Sequence, residues 1–253
     1  MKTINYHIKG ITKTIELLSK GNFLLFFIPG AIITLFFLWL RSFTSSINDA
    51  VELASDTSWL DWFYGYINSG VHKAFGILDT IFNQLYIFVV LTLLSPFNTF
   101  LGEKMDTKLT GQEFSGGFIR FINDFFRMIF VVFIALILEF FTLGIYWIIS
   151  YFIGSPVIDE IMYFLIAAFF FGFSFYDFAL ERYEINVMGS LRFAFRNPLT
   201  MILTGGIFLL IYNIPLIGIP ISPVLTLMIS TVVYLYIRKR LPAHKAQTID
   251  TNE

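Results

Sequence analysis

The sequence predicts an all-α integral membrane protein: an N-terminal interfacial helix, two long transmembrane helices, then two helical hairpins that are partly re-entrant. Three observations predict it. Hydrophobic residues make up 57% of the 253 residues and charged ones only 14%, whereas an ordinary soluble domain is roughly a quarter charged. Such a chain has too little polar surface to cover a soluble core. The apolar residues also fall in long runs, and Gly and Pro rather than charges interrupt the later ones. A net charge of -1 offers no basic field to nucleic acid, and the absence of Cys rules out disulfide frameworks, thiolate metal sites and cysteine nucleophiles.

The elements follow in chain order within a single membrane domain, 1–243. In 1–22, Ile4, Ile8, Ile11, Ile15 and Leu18 recur at helical spacing among Lys2, Lys9, Lys13 and Lys20, as in a helix lying in the membrane interface. The run that opens the first span, 23–43, is longer than a signal-peptide core and no small-x-small cleavage site follows it, so it is expected to be retained. The segment 42–72 holds Asp49, Glu52, Asp56 and Asp61 but no Lys or Arg, so it is expected outside. The second span is expected over 74–97, with Asp79 near its outer end reaching water.

The first hairpin, 118–178, is expected as helices 118–145 and 157–178 that turn near Gly144, Gly154 and Pro156. Glu181 to Arg196 forms a polar bridge. The second hairpin, 197–240, breaks at Asn213, Ile214 and Pro215 and again at Pro220 and Pro223. Its first arm, 199–212, would be about 21 Å long, too short for a hydrocarbon core of roughly 30 Å. A disordered cytoplasmic tail, 244–253, is expected to close the chain. With both termini inside, Arg120, Arg127, Arg182, Arg192, Arg196, Arg238, Lys239 and Arg240 gather at the cytoplasmic face, leaving Arg41 and Lys73 outside.

The most distinctive segment closes the second span: Ser95, Pro96, Phe97, Asn98, Thr99, Phe100, Leu101, Gly102, Glu103 and Lys104. Pro96 removes a backbone donor and is expected to kink or restart the helix, with Ser95 and Asn98 as capping groups. A capped helix exit accounts for these residues; so does a functional site. This segment, with Trp59 and Trp62 in the preceding loop and the order of helices across nearly the whole chain, resembles the CysZ-like sulfate permeases, whose domain is shared with the etoposide-induced 2.4 membrane proteins. The resemblance implies a bacterial inner-membrane protein with half-inserted hairpins, oligomeric assembly and passage of sulfate into the cytoplasm. The family's Gly-x-Arg triplet falls on Gly21, Asn22 and Phe23 here, so its arginine is absent, and with it a bidentate contact for an oxyanion.

Further candidates for a substrate path are Glu139, Ser155 and Ser222. Glu139 is an acid among apolar neighbours. Ser155-Pro156, Asn197-Pro198 and Ser222-Pro223 read as helix starts, and the Ser155 and Ser222 starts are placed at uncharged hairpin tips, where free N–H groups could face an anion. Ordinary helix starts account for them as well. Asp177 and Glu181, one turn apart before Arg182, read as an interfacial cap and ion pair. The many Phe residues suit lipid contact and packing around Ala167, Ala168 and Gly172. His7, His72 and His244 show no metal-ligand spacing, and no nucleophile elbow or nucleotide loop is present, so neither enzyme activity nor a cofactor is expected. The competing class is a membrane scaffold that shapes the bilayer.

Overall fold

The computed structural model describes residues 2–36, 39, 87–112, 118–153, 155–239 and 241. The segment 42–72 with Trp59 and Trp62, the residue Asp79 and the tail 244–253 lie outside the described residues. Among the described residues every regular element is helical.

The first helix, α1, is Lys2–Ser19, and it meets α2, Leu24–Phe36, at a bend of 103°. Gly21 (φ 73°) and Phe23 (φ 67°) make that corner in the left-handed region. α1 turns His7, Gly10, Thr14 and Leu17 into the protein, while Ile4, Ile8, Ile11 and Ile15 point outward. The isoleucine row is therefore not what docks the helix. Small and polar residues make that contact, Gly10 lying on Ile229 and Val233. On the exposed side Lys13 and Lys20 hydrogen-bond Glu16 (2.8 and 2.7 Å) and hold its carboxyl down at about 2.

The described part of α3 covers 87–110 and runs unbroken through Pro96. The span expected to end at Phe97 thus continues for three more turns, with Ser95 and Asn98 inside the helix instead of capping its end. α4 is Phe118–Ile153 and α5 is Pro156–Glu181. Gly144 sits within α4 and not at the turn. A helical glycine costs only about 1 kcal/mol, whereas the residue before a proline is driven out of helical geometry, so the chain breaks at Ser155-Pro156.

The expected polar bridge contains a helix, α6, Val187–Arg196, started by Asn186, whose side chain accepts from the Gly189 N–H at 2.8 Å. Its sharp turn into α7, Pro198–Tyr212, is a bend of 98°. After the turn at Asn213 to Ile217 comes α8, Gly218–Ile237. Pro220 falls in its first turn, where an N–H has no intrahelical partner to lose, and Pro223 is carried inside the helix. Ser222 is consequently not a helix start.

Among the described residues, three helices or parts of helices are long and apolar enough to cross a membrane: Phe125–Phe152, Pro156–Glu181 and Gly218–Ile237. The bent pairs α1 with α2 and α6 with α7 raise this to five if each counts as one span. α7 on its own has 15 residues, about 22 Å, and stays short of a crossing. The core centres on α5, which packs most extensively on α7. A Cβ added at Gly205 would overlap the Ala168 carbonyl, and one at Gly172 the Met201 carbonyl. The two backbones touch, as small-residue packing in membranes allows.

A buried polar face on the third helix

Along α3, Ser95, Asn98, Thr99, Gly102, Glu103 and Asp106 recur at three- and four-residue spacing. One helix face therefore carries polar groups over about 16 Å. All six are buried. Phe97 and Phe100 look outward from the other side, 44% and 50% exposed, so the expectation that grouped Phe97 with Asn98 and Glu103 separates on the helix. Pro96 is buried and withdraws its backbone donor from the preceding turn.

This face holds unused hydrogen-bonding capacity. Ser95 Oγ, Asn98 Nδ2 and Thr99 Oγ1 are buried and make no hydrogen bond. Buried polar groups are almost always satisfied by protein or ordered water, so the site has room in its chemistry for water or for an oxygen-rich solute.

Arg182 closes the sequence of groups. It follows the last residue of α5, and its side chain is wholly enclosed. Nη1 donates to the Phe178 carbonyl (3.0 Å) and Nη2 to Thr231 Oγ1 (3.2 Å) on α8. Nε lies 3.5 Å from Asp106 Oδ2 without making a hydrogen bond. Asp106 itself accepts from Tyr183 OH at 2.7 Å and from Thr110 Oγ1 at 3.1 Å. A Cβ at Gly102 would overlap Arg182 Nη1, so the guanidinium rests in a notch that only glycine leaves open.

The ion pair expected of Asp177 and Glu181 goes to Arg127 on α4. Arg127 grips Asp177 through Nε (3.1 Å) and Nη2 (2.9 Å), reaches the Ile185 carbonyl at 2.8 Å, and has Glu181 at 3.6 Å. Arg182, adjacent in sequence, turns inward instead. Glu139 is fully buried on the α4 face that also carries Met128, Val131 and Ala135.

Ser155 does start α5, in extended geometry and without a side-chain cap bond. The tip is not uncharged, however. Asp159 stands in the first turn and accepts from Tyr146 OH and Ser150 Oγ, both at 2.7 Å, and Glu160 is exposed beside it. The helix N-terminus is thus already complemented by a carboxylate. Ser222 is fully buried within α8, and its Oγ, like that of Thr226 one turn on, makes no hydrogen bond. Near Phe23, where the family arginine would fall, Lys108 Nζ donates to Asn22 Oδ1 at 2.6 Å and lies 5.8 Å from the Phe23 ring centre.

Among the described residues no group of three or more His, Asp or Glu is placed to hold a metal ion. Comparison with protein-family models, with curated proteins and with solved structures finds no match.

The residues that sequence reasoning missed are Thr99, Gly102, Asp106 and Arg182. For Thr99, Gly102 and Asp106 the signal was present, since polar residues keep helical spacing for more than two turns beyond Pro96, whereas nothing local pointed to Arg182. Treating Pro96 as the end of a helix hid that spacing.

Proposed function

We propose that the chain is a passive path for an inorganic anion, sulfate above all, across the bacterial inner membrane, with both termini cytoplasmic, as the resemblance to the CysZ-like permeases implies. The observation that carries the reading is the buried face of α3, where Ser95, Asn98 and Thr99 hold unused donors one to two turns from the enclosed guanidinium of Arg182. Donors of this kind replace the water that an anion sheds on entering a membrane. The path follows the α3 face, where the Arg182 cation is set against Glu103 and Asp106, in preference to the Ser155 tip, where Asp159 accepts from Tyr146 and Ser150 hydroxyls and, among the described residues, not from a cation. Lipid and further copies of the chain are the proposed neighbours of the apolar outer side of α4, with Phe126, Phe133 and Phe141 exposed.

Purified protein in liposomes, assayed for labelled sulfate against phosphate and chloride, tests this reading. Sulfate passes fastest, and Asn98→Leu slows it roughly tenfold, the rate equivalent of one lost hydrogen bond to a charged group. Flux no greater than in protein-free vesicles refutes transport. The second reading, a bilayer-shaping scaffold, is favoured by the outward isoleucine row of α1 and its 103° corner with α2, and it predicts no flux in any variant.

A further inference from the structure

We propose that Arg182 is a displaceable plug seated by Gly102, and that shifting it opens the polar face of α3 to oxyanions. The proposal rests on the transport reading and adds the element that would control it.

The location comes first. Gly102 stands one helical turn beyond Asn98 and Thr99 and one turn before Asp106. The guanidinium over Gly102 therefore lies between the unused donors and the end of α3, where Lys108 and Gly111 are exposed. A Cβ at residue 102 would overlap its Nη1.

The second argument is the weakness of its anchorage. A guanidinium has five N–H donors, and Arg182 commits two to a hydroxyl and a carbonyl, while Nε stays 3.5 Å from its nearest carboxylate without a hydrogen bond. Arg127 shows the contrast, with two hydrogen bonds to Asp177. A tetrahedral oxyanion offers the fork of acceptors that Thr231 and the Phe178 carbonyl do not. Drawing the guanidinium off its seat breaks its bonds to Thr231 and the Phe178 carbonyl and loosens its 3.5 Å ion pair with Asp106, and the oxyanion's acceptors replace the two hydrogen bonds.

Charge is the third. Arg182 is the cation set against Glu103 and Asp106. With its charge removed, two carboxylates would remain on the path and exclude anions. With the charge kept but moved, the path would open.

Those two manipulations give variants of opposite sign. Gly102→Ala, Arg182→Gln and wild type are reconstituted in liposomes carrying labelled sulfate, with carboxyfluorescein retention reporting general leakage. Gly102→Ala should speed sulfate roughly tenfold, the loss of one charge-assisted hydrogen bond, while retaining the dye, and Arg182→Gln should slow it. Thr231→Val, which frees Nη2 without adding bulk, is a second route and should also speed it. A merely structural role for the cluster makes all three variants slower or leaky, and that result overturns the proposal. So does equal acceleration in Arg182→Gln, which would make the site a plain hole. Sulfate passing wild type with Gly102→Ala and Thr231→Val unchanged removes the plug and leaves transport standing. A closed wild type opened by Gly102→Ala keeps the plug and removes constitutive transport. Silence in every variant ends both.

Discussion

His7 shows how one side chain ties the first helix to the bundle. Its Nδ1–H donates to the Thr3 carbonyl (2.9 Å), and Nε2 is hydrogen-bonded to Thr204 Oγ1 (2.9 Å) on α7, a hydroxyl that in turn donates to Tyr176 OH (3.2 Å) on α5. Burial holds His7 below its ordinary value of 6.5. The unfolded chain therefore takes up a proton that the folded one refuses, and stability falls as pH drops through 6.5 toward the folded value, levelling below it. Thermal unfolding in detergent between pH 8 and pH 5 should show this loss, and His7→Gln should flatten it. An unchanged slope in the variant would assign the pH dependence elsewhere. The sequence placed His7 on a helix but could not place Thr204 opposite it, because the two are joined only by tertiary packing.

At the level of elements, the hydrophobic pattern located the helices and misjudged where they end. Gly144 and Pro96 carried weight as breakers that the structure does not give them. A proline removes one hydrogen bond, and a buried helix packed on several sides absorbs that loss. The real stops combine a proline with a preceding residue outside helical geometry, extended at Ser155 and at φ -130°, ψ 52° at Asn197. α6 escaped notice since it is short and amphipathic between apolar neighbours. Contact between α5 and α7 yields a prediction of its own. Gly205→Ala drives a methyl group into the Ala168 carbonyl and should destabilise the protein by roughly 1–3 kcal/mol, read as a lower midpoint in denaturant. Gly206→Ala meets only the Phe164 ring, at 3.7 Å, and should be nearly neutral.

For the molecule as a whole, the distribution of exposed apolar residues sets its relation to the bilayer. α1 has three distinct sides: His7 and Gly10 toward the bundle, the isoleucine row outward, and Lys2, Lys9, Lys13 and Lys20 in a stripe of their own. Isoleucines seated in lipid would lay α1 flat on the surface and send α2 inward from the 103° corner. Because the chain has no Cys, single cysteines can report this directly. A fluorophore at Ile8→Cys should be quenched by spin-labelled lipid chains and one at Lys9→Cys by aqueous iodide; the reverse pattern would turn the helix over. Membrane class was legible because composition alone decides it. The polar face of α3 was half legible: Ser95, Asn98 and Glu103 were named from the motif, but Arg182 is nearly eighty residues away, and no local pattern joins it to Asp106.

The shortness of α7 carries a consequence of a different kind. About 22 Å of helix cannot hold two aqueous phases apart across roughly 30 Å of oil, so the turn after it sits within the hydrocarbon or the bilayer thins to meet it. Its loose carbonyls are already bound there, Leu209 by Asn213 Nδ2 at 2.8 Å and Ile214 by the Gly218 N–H at 2.8 Å. A turn so bonded carries fewer bare carbonyls toward oil, which is what a helix too short to cross requires at its end.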